Sequence, residues 1–299
     1  MSSVTTSPGK PSLGSISAGR KIKDRLVQGF VYLAFALAVI PLVSVLWTVL
    51  SNGVKRLDAD FLGHSMNGVS GRDTGGGAYH AIIGTLEQVA IASAIAVPIA
   101  VLTAVYLVEY SGGGRLGKVI SFFVDVMTGI PSVVAGLFVL ALWLLTFDFG
   151  FSGFAGALAL TILMIPTVVR SSEEMLKLVP NELREASYAL GVPRWRTILF
   201  VILPTALTGM VTGIMLAVAR VMGETAPLLL TIFFTKAINT DPFKDPQGSL
   251  PSFIWEQAKD PNQNSIDRAW TGALVLILII MVLNLAARLI AGRRAPSGR

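Results

Sequence analysis

Apolar residues in this chain gather into long runs at about 26–50, 81–107, 119–145, 153–169, 197–234 and 269–290. None alternates with the period of two that marks a half-buried strand. Each has about the length a helix needs to enter or cross a hydrocarbon layer of about 30 Å. The run at 26–50 exceeds a signal-peptide core and is not followed by a small-residue cleavage site, so it is read as a span. Between the runs lie a glycine-rich loop at 51–80, short turns at 109–118 and 146–152, a polar segment at 170–196, and a loop at 235–268 with four prolines. Residues 1–25 are rich in Ser, Gly, Lys and Arg without an apolar period, which predicts a disordered tail; 291–299 form a second, basic tail.

The run at 197–234 is too long for one crossing. As a single helix its 38 or so residues would extend about 57 Å at about 1.5 Å per residue. Gly223 and Pro227 are the expected break points, leaving a fifth span at about 203–226 and then irregular chain or a second short helix. Such backbone is tolerated at membrane depth only inside protein or against a cavity.

Composition fixes the class. Of 299 residues, 53% are hydrophobic and 14% charged, with mean hydropathy +0.68; soluble domains carry about 25% charged residues. The chain is expected to be an all-α integral membrane protein with six transmembrane helices in one permease domain over 26–290. It has no cysteine, which excludes disulfides, thiol nucleophiles and Cys-ligated metals. The formal charge of +6 is accounted for by orientation rather than nucleic acid. Six spans put both termini on one side with 109–118 and 170–196, and that side holds sixteen of the Lys and Arg residues against seven on the other. The excess predicts cytoplasmic termini.

The segment at 180–204 reads PNELREASYALGVPRWRTILFVILP. Asn181 is expected to cap a helix of about nine residues. Glu182 and Glu185 favour its positive end, and Gly191 and Pro193 stop it. Leu183, Ala186 and Leu190 share one face. On pattern alone, a generic amphipathic connector remains an equal reading. Glu185-Ala186-Ser187, three residues, Gly191, nine residues and Val201-Ile202-Leu203-Pro204 resemble the EAA signature of ABC-importer permeases, with Ser187 for the second alanine and Val201 for isoleucine. The resemblance implies the MetI-like permease fold. It also implies that 170–196 is a cytoplasmic coupling segment whose Leu183, Glu185, Ala186, Ser187, Leu190 and Gly191 face an ATPase subunit.

Arg220 and Glu224 stand four apart inside an apolar run. Ionisable residues at that depth are costly and point to function; the pair reads either as a lock between helices or as an anion site, since a guanidinium fork matches a tetrahedral oxyanion. The surrounding words VMGETAPLL (221–229) and GIPSVVAGL (129–137) resemble permeases of the phosphate-specific transport system, of the PstA type rather than its heterodimer partner PstC. That resemblance implies that Arg220, Glu224 and Arg170 lie on a substrate pathway shared with a PstC-like second permease. It implies a PstB-like ATPase dimer that uses ATP and magnesium, and a PstS-like extracytoplasmic phosphate-binding protein. This chain would bind no cofactor, have no catalytic site and lie in a prokaryotic cell membrane. The rival readings are a permease for another oxyanion such as sulfate or molybdate, and a self-sufficient secondary anion transporter.

Other features are assigned structural roles. Residues 112–118 imitate a phosphate-binding loop, but Val119 replaces the hydroxyl residue that magnesium requires and apolar runs flank both sides. Glu87 and Asp125 are read as structural or solvated. His64 and His80 lack partners at metal-ligand spacing. Gly209 and Gly213 form a GxxxG pair that admits a neighbouring helix, and Trp47 and Trp270 suit interfacial anchors.

Overall fold

The computed structural model describes residues 18–294, with side chains described for 19–290. Two units are distinguished, 1–48 and 49–299. The described part of the first is a single helix, α1 (Ala18–Gly53), which ends inside the second. α1 takes in the last eight residues, 18–25, of the expected N-terminal tail. Lys21, Lys23 and Arg25 suit a helix that projects beyond hydrocarbon, because their long stems let the charges reach water. Residues 1–17 and 295–299 of the expected tails lie outside the described residues.

The second unit is helical throughout its regular structure. After a 3₁₀ turn at Val54–Arg56 come α2 (Ala59–Gly63), α3 (Tyr79–Val105), α4 (Arg115–Thr128), α5 (Ser132–Val139) and α6 (Gly153–Lys177). α7 (Asn181–Ala189), α8 (Arg194–Thr197), α9 (Leu203–Met222), α10 (Ala226–Thr231), α11 (Leu250–Lys259) and α12 (Gln263–Arg294) follow. Short π-helical turns at Tyr106–Tyr110, Leu140–Thr146 and Ile198–Ile202 extend α3, extend α5 and lead into α9. Among the described residues, five stretches meet the length and apolarity of a membrane span: Gly19–Arg56, Tyr79–Tyr110, Gly153–Lys177, Arg194–Met222 and Gln263–Ile290.

The third apolar run departs from expectation. Predicted as one span over 119–145, it is two helices, Arg115–Thr128 and Ser132–Thr146, bent by 104°. Gly129-Ile130-Pro131 separates them. Pro131 has no N–H to continue the ladder and disfavours helical geometry at Ile130, so hydrophobicity alone does not keep the run straight. Two other boundaries move. α6 continues past Val169 to Lys177, carrying the first residues of the expected polar segment within a helix. The 235–268 loop contains α11, whose first turn is capped by Ser249 Oγ accepting from Ser252 N and which has Pro251 in its first positions. As the length of 197–234 requires, α9 stops at Met222 and a short helix follows.

α6 is the axis of this unit. Ala92, Ala96 and Ala100 of α3, each wholly buried, belong to one core with Ala157, Leu160, Met164 and Val168 of α6. Alanine every fourth residue lets two backbones approach closely. α9 packs on the α6 half nearest Lys177. A Cβ at Gly209 would collide with Met175, and one at Gly213 with Ser171. At one end of the bundle, Phe61, Met66 and Ala78 pack with Leu250 and Phe253, so residues of the 51–80 and 235–268 loops form a small apolar core. The opposite end holds the α3 and α6 C-termini with α7 and α8.

Candidate functional site

α7 lies at the end of the bundle away from those loops. Its cap differs from expectation: Pro180 occupies the N-cap, Asn181 is the first helical residue, and no side chain caps the helix. Pro180 is extended (φ −58°, ψ 140°) and so delivers the chain straight into the first turn, leaving Asn181 Oδ1 to accept from Arg184 Nη1 at 3.2 Å. Gly191 has φ +75°, the left-handed geometry that ends many helices and that glycine adopts without strain. Leu183, Glu185, Ala186 and Leu190 are exposed, whereas Ser187 is buried and shares a 2.8 Å hydrogen bond with Thr197 of α8. Leu183, Ala186, Ser187, Leu190 and Gly191 border an open groove of about 580 Å³ with Phe200. The expected apolar face is therefore uncovered by the described residues and contiguous with the turn back into α9.

Arg220 and Glu224 come together only loosely. Nε lies 4.0 Å from Oε1, with the arginine side chain 55% exposed and the glutamate 17%. Arg220 is in the last turn of α9, where a cation faces the negative helix end. Glu224 follows in the break before α10, and its N–H donates to Val221 O at 3.2 Å. α10 seats that break. Gly136 of α5 lies against the backbone of Pro227, leaving no room for a Cβ.

Arg170 has a different setting. Nη1 donates to Glu173 Oε2 at 2.5 Å, and Nη2 to Ser121 O at 3.0 Å, Ser121 Oγ at 2.9 Å and Asp125 Oδ1. Lys177 Nζ adds a 2.7 Å bond to Glu173. The cluster ties α4 to α6. The α6–α9 pairing sets its distance from Arg220: Met175 lies opposite Gly209 and Ser171 opposite Gly213, so Arg220 is level with about residue 164. The two guanidinium-bearing positions are thus offset by about 9 Å along the helix axes. No hydrogen bond or ion pair joins them among the described residues.

Several participants were not legible as site residues. Arg184 reaches Glu109 Oε1 with Nη2 at 2.8 Å and Nε at 3.2 Å. Nothing near Glu109 in sequence announces a partner 75 positions away. Glu87 is bonded rather than merely solvated. Its Oε2 accepts from Gln247 Nε2 at 2.6 Å, while Gln88 donates to Gln247 Oε1 at 2.9 Å and to Gly248 O at 3.2 Å. The 112–118 stretch is a glycine turn, with Gly112 and Gly113 at positive φ, that runs into the first turn of α4 at Arg115, and it follows a helical turn rather than a strand. His80 is buried against Phe234 and Phe253, whereas the side chain of His64, the residue that ends α2, is exposed and faces Asp60.

Residues 96–297 match the family described as binding-protein-dependent transport system inner membrane component. The chain is 48% identical over 281 residues to phosphate transport system permease protein PstA 1 of Mycobacterium tuberculosis, covering 92% of this chain and 91% of that protein. It is 37% identical over 270 residues to the PstA protein of Pasteurella multocida, covering 90% of this chain and 95% of that one. Among solved structures, an inward-facing MetNI methionine ABC transporter chain aligns with TM-score 0.57 and 20% identity, over 73% of this chain and 94% of that chain, which fixes the fold.

Proposed function

Because the chain belongs to the binding-protein-dependent transport inner membrane component family, among its PstA permeases, we propose that it is the transmembrane permease subunit of an ATP-driven phosphate importer. Extended similarity to PstA relatives supports this reading above its oxyanion and secondary-transporter rivals. The proposed topology has six spans, counting the bent α4–α5 pair as one, with cytoplasmic termini in a prokaryotic inner or plasma membrane. The permease domain covers 26–290.

α7 is the proposed handle. Its exposed Leu183, Glu185, Ala186 and Leu190 and the adjoining groove offer an ATPase dimer one apolar surface with a carboxylate on it, and Gly191 permits the turn towards α9. ATP and magnesium are handled by that partner. A PstC-like second permease completes the pathway, and a PstS-like binding protein supplies phosphate.

In the pathway we assign Arg220 to the anion and Glu224 to its counter-charge. With the site empty, the carboxylate offsets the guanidinium. When phosphate arrives, its remaining O–H donates to the carboxylate while its other oxygens accept from Arg220; sulfate has no such proton to offer. Arg170 already has acceptors on two carboxylates and Ser121. It is assigned to brace α4 against α6 beside the route.

The test is isolation of the chain with its partners, followed by ATPase assay with binding protein and phosphate. Recovery of an ATPase and a second permease, with hydrolysis stimulated by phosphate-loaded binding protein, is expected. Isolation of the folded chain without any ATPase overturns the reading. Glu224→Gln is expected to assemble normally and to lose or alter uptake; normal phosphate uptake by that variant removes Glu224 from the pathway.

A further inference from the structure

The chemistry of α7 is divided between two directions. Its outward residues face the groove, but Arg184 turns inward and is only 15% exposed, against a Glu109 that is 4% exposed. Besides its two contacts to Glu109, Arg184 Nη1 donates to Val179 O at 2.6 Å and Nη2 to Leu176 O at 3.1 Å. Leu176 is in the final turn of α6 and Val179 lies just beyond it. Carbonyls at a helix end lack i+4 partners, Leu176 O accepting instead from Val179 N at 3.3 Å, and a cation suits their partial charge. One side chain thus ties together three parts of the fold: α7, the carbonyls at the end of α6, and, through the Glu109 carboxylate, the Tyr106–Tyr110 turn that extends α3.

A second link runs in parallel. Arg194 of α8 stacks over the Tyr110 ring at 4.9 Å, and the Ser187–Thr197 hydrogen bond holds α8 to α7. Both short helices are therefore fastened to the same five-residue turn. From that turn α3 runs back as one stretch, Tyr79–Tyr110, about 48 Å long at about 1.5 Å per residue. Its far part is bonded to the opposite loops: Leu250 N donates to Thr85 Oγ1 at 2.7 Å, beside the Glu87–Gln247–Gln88 network. The covalent route from α7 to α9 instead passes Gly191 at φ +75° and the π-helical turn Ile198–Ile202.

We infer that the Arg184–Glu109 pair is the joint through which displacement of α7 is delivered to α3, making both residues positioning residues for coupled transport. The inference rests on the reading of α7 as the ATPase handle. Because both groups are secluded, neither charge can be relieved by water when the other is removed, so the joint holds while α7 is pushed. α3 then moves as a rod against α6 and carries the displacement to the loops at the other end.

The experiment uses the complete transporter in proteoliposomes, with binding protein and phosphate, reading uptake per ATP hydrolysed. Glu109→Gln keeps the shape and removes the charge. Arg184→Lys keeps the charge but cannot span Glu109 and both carbonyls. Each is expected to leave the ATPase assembled and turning over while uptake per ATP falls about 10-fold, within the usual range of coupling between sites. The double variant is expected to be no worse than the stronger single one, as for two residues acting as a unit.

The absence of cysteine from the chain supplies a second readout. Tyr79→Cys places a thiol at the far end of α3, and its labelling rate is expected to change when ATP is added. That change should disappear with Glu109→Gln. Unchanged uptake per ATP, additive losses in the double variant, or an ATP-dependent labelling change that survives Glu109→Gln each overturns the joint. A parent transporter that yields no associated ATPase overturns the coupling reading itself, a distinguishable result.

Discussion

Arg170 and Arg220 carry the same side chain within the apolar helices, yet their surroundings differ. Arg170 is engaged by Glu173, Asp125 and Ser121 from two helices. Arg220 has one carboxylate at the outer limit of an ion pair and keeps more than half its side chain exposed. A guanidinium has five N–H donors to satisfy. Where the protein fills them, arginine fixes two helices together; where it does not, donors remain for a ligand. The difference teaches that a charge at membrane depth is diagnostic only once its partners are counted.

The largest effect expected is functional. Arg220→Ala should reduce phosphate uptake by the assembled transporter roughly 10- to 100-fold, the equivalent of a charged hydrogen bond worth about 1.5–3 kcal/mol. Its thermal stability should change by less than about 0.5 kcal/mol, as for an exposed side chain. Equal losses of stability and uptake would erase the distinction between the arginines. Arg170→Ala should act through the fold, costing about 2–4 kcal/mol of stability by leaving the buried Glu173 with Lys177 alone; thermal unfolding in detergent measures this, and unchanged stability would break the comparison from the other side. Gly213→Leu forces a side chain against Ser171 at the seam that sets the axial offset, at about 1–3 kcal/mol by the same measurement. Asp125→Asn is the smallest. Asp125 is two-thirds exposed, so its loss should cost under about 1 kcal/mol and diminish further in high salt.

Sequence reading was reliable where information is local. The apolar runs mark the long helices, because a chain in hydrocarbon must satisfy its own backbone bonds. The helix over 181–189 follows from the face formed by Leu183, Ala186 and Leu190 and from Gly191 at its end. Arg220 and Glu224 stand out because charge within an apolar run is rare, and their four-residue spacing brings them to 4.0 Å. What escaped depends on geometry or distance. The 104° bend follows from three residues that hydropathy averaging smooths over. α11 had a local sign in Ser249 and Pro251, but four prolines made the whole loop read as irregular. The engagement of Arg170 by Ser121 and Asp125, and of Arg184 by Glu109, joins residues 45 to 75 positions apart. No periodicity records such pairs.

Arg268 adds a consequence for how the molecule is made. Wholly buried in α12, it donates to the carbonyls of Ser70, Gly71, Asp73 and Gly75, and to Gln257 and Ser265. Asp73 and Arg268 are 195 residues apart. At a synthesis rate of about 5–20 residues per second, the 70–75 segment is made roughly 10–40 s before the side chain that organises it. That segment has to wait, unpinned on its side of the membrane, for the last helix to be inserted. A chain cut short before α12 would therefore carry an unfinished loop near its beginning, exposed to proteases that the full-length product resists.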